Sequence, residues 1–98
     1  MAADDLDGND SGVAVPQEHV VFTDLDGVEG VLVDLNTRKY YQLNETATMV
    51  WRGLERRMST GEIAAEMAAV YDVPADRAVT SVKRLLGSLC ASKLVKGS

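Results

Sequence analysis

The sequence predicts an α+β domain in which a three-stranded antiparallel sheet is followed by three helices. Three observations carry that reading. Between Val20 and Leu43, short β-branched and aromatic runs alternate with turn residues. At Asn44 the apolar period changes from two to 3.6 and stays helical to about Ser92. The strand connections are too short for crossover helices, so the strands form a meander.

The first strand is residues 20–23, Val-Val-Phe-Thr, and residues 24–27, Asp-Leu-Asp-Gly, supply a turn. The second runs over residues 28–35. It sets Val31, Val33 and Leu35 on one face against Gly30, Leu32 and Asp34 on the other. Leu32 breaks the alternation, so the second face is expected to be partly covered. Residues 36–38 make a tight connection, with Asn36 suited to a turn position. The third strand is Lys39 to Leu43.

Asn44 is a good N-cap, and Ala47, Val50, Trp51, Leu54 and Met58 follow at helical spacing. Gly53 weakens this first helix by roughly 1 kcal/mol relative to Ala, so packing is expected to hold it. Ser59 and Glu62 form a capping box that opens the second helix, which turns Ile63, Met67 and Tyr71 inward. Residues 72–74, Asp-Val-Pro, end it and start the third, Pro74 fitting the first turn. Leu94 and Val95 add a short terminal segment.

Charge is distributed unevenly over the 98 residues. The net charge of −5 sits in the N-terminal segment, since residues 1–18 hold Asp4, Asp5, Asp7, Asp10 and Glu18 without a Lys or Arg. Residues 77–98 hold Arg77, Lys83, Arg84, Lys93 and Lys96 without an acid. That polarity points to an acidic or polar partner. Residues 1–17 read as a disordered acidic tail and residues 18–98 as the folded domain.

Several function classes drop out. One cysteine and one histidine exclude an internal disulfide, a multi-Cys zinc site and most triad chemistry. No apolar run approaches the roughly 20 residues that span a bilayer, and no secretory signal is present, so the cytoplasm is the expected compartment. Gly27 and Gly30 stand in a hairpin rather than in a phosphate loop. Asp24, Asp26 and Glu29 lack calcium-loop spacing and read as a solvated turn. His19 reads as a surface residue and Cys90 as a small hydrophobe. No enzyme activity, metal or cofactor is expected.

The third helix is the informative one. At about 100° per residue, Ala78, Val82, Leu85 and Leu89 form the core stripe. Val79, Leu86 and Cys90, with Lys83 beside them, widen the apolar arc to about 140°, where a single packed face needs roughly 100°. Burial on two sides within the domain would account for Val79 and Leu86. A groove edge filled by a partner would account for them equally. Arg77, Arg84 and Ser88 lie on the opposite flank and read as solvated.

Three helices with a small sheet also describe a winged helix-turn-helix, and residues 77–98 could touch phosphate. A DNA reader, however, lays several Arg, Lys, Asn or Gln along one exposed helix face, which this helix does not. An apolar groove beside a strand edge suits an extended peptide, which adds to the sheet by main-chain hydrogen bonds. A DNA-binding winged helix and a self-pairing homodimer are the two alternatives.

The stretch from Gly30 to Trp51, GVLVDLNTRKYYQLNETATMVW, resembles the signature of the PqqD-like family. Its most specific part is Tyr-x-Leu-Asn-x-Thr-Ala-x-x-x-Trp, Tyr41 to Trp51. Ile63-Ala-Ala-Glu-Met-Ala, Tyr71-Asp-Val-Pro and Val82-Lys-Arg-Leu-Leu continue the resemblance, which covers residues 19–96. It implies a winged-helix domain that binds the leader segment of a ribosomally made precursor peptide. The leader is then delivered to a modifying enzyme such as a radical S-adenosylmethionine protein, a leader peptidase or a cyclase. No nucleic acid or membrane partner is implied. In the family the leader lies along the third strand, in the cleft with the third helix. Carried onto this sequence, the strand edge is Arg38, Lys39, Tyr40, Tyr41, Gln42 and Leu43. The helix wall is Val79, Val82, Lys83, Leu86 and Cys90. The segment before Val28 departs from the pyrroloquinoline quinone pathway's own member, so a relative serving another peptide, such as a lasso peptide, is expected.

Overall fold

The computed structural model describes residues 14–97. Strands β2 (Val20–Asp24), β3 (Gly30–Asp34) and β4 (Lys39–Leu43) form an antiparallel sheet in the order β2-β3-β4. Helices α1 (Glu45–Glu55), α2 (Thr60–Tyr71) and α3 (Ala75–Ala91) follow. The α+β class, the meander and the three helices all match the sequence reading.

The termini differ from it. Ala14–Pro16 forms a strand, β1, which pairs antiparallel with β5 (Val95–Gly97) and packs against α1. The domain therefore begins at least at Ala14, four residues before the expected boundary. The pairing joins segments about 80 residues apart and leaves no local trace in the sequence, which explains the shift. The amide of Gln17 extends the ladder by donating to the Leu94 carbonyl at 3.0 Å. The expectation of a disordered tail over residues 1–13 lies outside the described residues.

The two faces of β3 have unequal fates. Gly30, Leu32 and Asp34 turn toward the helices and are buried, Leu32 completely. Val31 and Val33 lie on the outer face, and Leu35 is exposed. Gly30 is required here because a Cβ at this position would collide with the ring of Phe22. Leu32 then supplies the sheet's largest wholly buried side chain, in a core with Val50, Trp51, Leu54, Ile63, Val82 and Leu94.

Helix starts follow their caps. Asn44 accepts a hydrogen bond from the amide of Ala47 at 2.9 Å. Ser59 and Glu62 complete the expected box at 2.8 and 3.1 Å, satisfying two of the donors a helix start leaves free. Gly53 allows α1 and α2 to approach closely, since a Cβ there would stand 2.8 Å from Ile63 Cγ1. At the sheet's other end, Arg52 reaches back from α1 to Asp24 at 3.2 Å and lies over the ring of Phe22.

Candidate functional site

The site is built around the unpaired side of β4. Backbone alternation decides which residues serve it. The bonds Leu25 N to Glu29 O (3.0 Å) and Leu35 N to His19 O (2.8 Å) mark hydrogen-bonded pairs at both ends of the β2–β3 ladder. Residues 31 and 33 of β3 therefore address β2, while 30, 32 and 34 address β4. Their partners on β4 are Leu43, Tyr41 and Lys39. The N–H and C=O groups of Tyr40 and Gln42 consequently point away from the sheet, and among the described residues no strand pairs with them.

Side chains alternate in the opposite sense. Leu43 is 6% exposed and Tyr41 half-buried on the helix side, whereas Tyr40, 74% exposed, stands on the outer face. Two clefts run between β4 and α3. One, of about 740 Å³, is lined by Gln42 and Leu43 from the strand and by Ser81, Arg84, Leu85 and Ser88 from the helix. The other, of about 580 Å³, lies toward the end of α3, where Lys39 and Tyr41 face Cys90, Ala91, Ser92 and Lys93. Both are within the size range of binding pockets.

Asp34 forms the floor of the second cleft. It is 3% exposed, and its Oδ1 accepts from the amides of Asn36 (2.9 Å) and Thr37 (3.1 Å). The His19 Nε2 stands 3.8 Å away. Burial pushes the Asp34 carboxyl upward, but the two amides, His19 and the Thr37 hydroxyl together hold it below the usual carboxylate range. Asp24 and Asp26 are turn formers. Asp24 Oδ1 accepts from the Gly27 amide, Gly27 having a φ of 86°, and Asp26 Oδ1 from the amides of Val28 and Glu29. Those two amides lower the Asp26 carboxyl.

The strand half of the expected site is brought together: Lys39, Tyr41, Gln42 and Leu43 line the clefts, Tyr40 carries the open edge, and Arg38 sits exposed at its start with φ 65°. The helix half divides. Cys90 lines the second cleft and is exposed. Val82 is wholly buried and backs the wall from behind. Val79, Lys83 and Leu86 are not among the residues lining either cleft, and Val79 and Leu86 pack against the core. Arg84 and Ser88, read as solvated, stand on the cleft side together with Ser81 and Leu85. The signal that could have found them is size: a helix flank admitting another backbone needs small residues, and Ser81 and Ser88 supply them.

Among the described residues, no group of three or more His, Cys, Asp or Glu could hold a metal ion, and no helix is long and apolar enough to cross a membrane.

A meander whose β4 edge is unpaired and set beside a helix across an open cleft defines a small scaffold to which an extended chain can add as a fourth strand. The sequence places it in a family. Residues 29–95 match the model for coenzyme PQQ synthesis protein D (PqqD), and the chain belongs to that family. No curated protein matches it. Two solved structures share the fold. "TbiB1 in Complex with the TbiA(beta) Leader Peptide" is 26% identical with a TM-score of 0.79, over 83% of this chain and 93% of that one. "Lasso peptide synthetase B1 complexed with the leader peptide" is 23% identical with a TM-score of 0.77, over 84% and 95%.

Proposed function

We propose that this protein binds the leader segment of a ribosomally made precursor peptide, of the lasso class, as an added strand on β4. The observation that carries the reading is the outward backbone of Tyr40 and Gln42 beside the α3 clefts. The fold likeness to TbiB1, a protein seen with a leader peptide, supports it. Main-chain bonds to Tyr40 and Gln42 give general affinity, and the clefts around Leu85 and Asp34 select side chains. Lys39, Arg84 and Lys93 favour acidic residues in the leader.

The protein acts as an adaptor in the cytoplasm and leaves the chemistry to a partner, such as a leader peptidase, a cyclase or a radical S-adenosylmethionine enzyme. The outer face of the sheet supports such a docking role. Val21, Val33 and Tyr40 form one row across all three strands, with Val21 44% and Tyr40 74% exposed.

The test is a calorimetric titration with the synthetic N-terminal half of any short open reading frame found beside this gene, against a scrambled peptide and a nonspecific DNA duplex. Saturable binding of the leader alone is expected. Salt-sensitive binding of the duplex, with none of the leader, would replace the reading with a DNA-binding winged helix.

A further inference from the structure

We propose that the pocket between α1, α2 and the β2–β3 turn is a docking site for a lysine side chain on a partner protein, separate from the leader site. That the partner is the modifying enzyme rests on the adaptor reading; the pocket's preference for an amine does not.

The pocket encloses about 240 Å³, room for a single side chain. Val28 of the turn and Met49 of α1 give it an apolar side. Glu45 and Arg56 stand at opposite ends of α1, and Glu66 and Tyr71 come from α2. None of the residues that line it lines either cleft beside β4, so both sites can be filled at once.

What the pocket lacks is a donor. Glu66 Oε1 and the Tyr71 hydroxyl oxygen are both shut away from solvent and make no hydrogen bond. An ionised carboxylate can only accept, and a buried acceptor without a donor is a costly state. The group that relieves it brings N–H. Neither Glu45 nor Glu66 takes part in an ion pair among the described residues. Burial, with the Glu45 carboxylate beside it, pushes the Tyr71 hydroxyl up, so it stays protonated and neutral.

Two cations share the wall. Arg52 is turned to Asp24 at 3.2 Å and lies over the Phe22 ring, and Arg56 donates through Nε to the Arg52 carbonyl. Arg56 is therefore the charge that opposes an incoming ammonium, and Glu45 and Glu66 outnumber it. Val28 and Met49 suit the methylenes of a lysine stem. Val28 and Leu25, in the same turn, are exposed apolar side chains that a protein surface would cover and a free amine would leave wet.

The test titrates the full chain, by amide NMR, with Nα-acetyl-lysine N-methylamide and with its Nε-acetylated counterpart, which keeps the stem and loses the charge. Saturable shifts at Val28, Met49, Glu66 and Tyr71 from the first probe, and none from the second, are expected. Shifts from both, or from neither, would overturn the proposal. Two variants carry opposite signs. Glu66→Gln, nearly isosteric, should weaken amine binding by roughly two- to fivefold, and Arg56→Gln should strengthen it by a similar factor. Unchanged affinity in Glu66→Gln would overturn the assignment. Free lysine binding tenfold or more tighter than the blocked derivative would make this a site for a free amino acid and overturn the protein partner. Saturating leader should leave the amine shifts in place, and displacement of the amine would overturn the separation of the two sites. If no leader binds, the adaptor reading fails while the amine titration still decides the pocket.

Discussion

Gln42 and Leu85 line the same cleft, one from the open edge of β4 and the other from α3. Gln42 offers backbone and Leu85 offers an apolar wall, so a peptide strand between them meets both requirements of strand addition. The two residues have separable jobs.

The backbone job is tested by proline. Gln42→Pro removes an amide that points away from the sheet and so leaves the β3–β4 ladder intact. Tyr41→Pro removes an amide that faces Leu32 across that ladder. Gln42→Pro should abolish most leader binding with a melting temperature close to that of the parent, while Tyr41→Pro should lower the melting temperature sharply. Calorimetric binding and thermal denaturation by circular dichroism check the pair.

The wall job separates Leu85 from Leu86. Leu85→Asp should weaken leader binding by the folded protein by about tenfold or more, a loss of roughly 1.4 kcal/mol, beside a loss of stability because Leu85 also packs against the core. Leu86→Asp places a charge among side chains packed against the core, so it should cost stability first and binding only through unfolding. Urea denaturation beside the binding isotherm distinguishes the two.

Gly53→Ala runs against helix propensity. Alanine favours an isolated helix, yet here its Cβ would meet Ile63 Cγ1 at 2.8 Å. The variant should be less stable by about 1–3 kcal/mol, measured by urea denaturation, because the α1–α2 approach must widen.

Asp34 makes stability depend on pH. Its carboxyl is held below the usual range in the folded chain, so the folded form favours the carboxylate. The resulting stability is present above the ordinary carboxylate pKa of about 4 and is lost as pH falls through the lower folded value. Denaturation midpoints across the acid range should therefore fall more steeply in the parent than in Asp34→Asn. Parallel curves would remove Asp34 from the cause.

Local chemistry was legible in the sequence, and non-local choice was not. Asn44, Ser59 and Glu62 announce helix starts because a cap involves residues three apart. The meander is readable because its turns are short. Strand β1 is not, since Ala14–Pro16 depends on Val95–Gly97 for its ladder. The flank of α3 that lines the cleft at Gln42 was also hidden. Val79 and Leu86 widen the apolar arc because they pack within the domain, whereas the cleft flank carries Ser81, Arg84 and Ser88, residues that an apolar count passes over. On β4, by contrast, an open edge is legible, because the first and last strands of a meander are edges by construction.

Amide hydrogen exchange at Tyr40 and Gln42, with and without saturating leader peptide, tests strand addition most directly. Both amides should exchange fast in the free protein and slow strongly on binding, while Tyr41, already in the β3–β4 ladder, changes little. Saturating leader that leaves Tyr40 and Gln42 unprotected would contradict strand addition at β4 and move the binding site elsewhere on the domain.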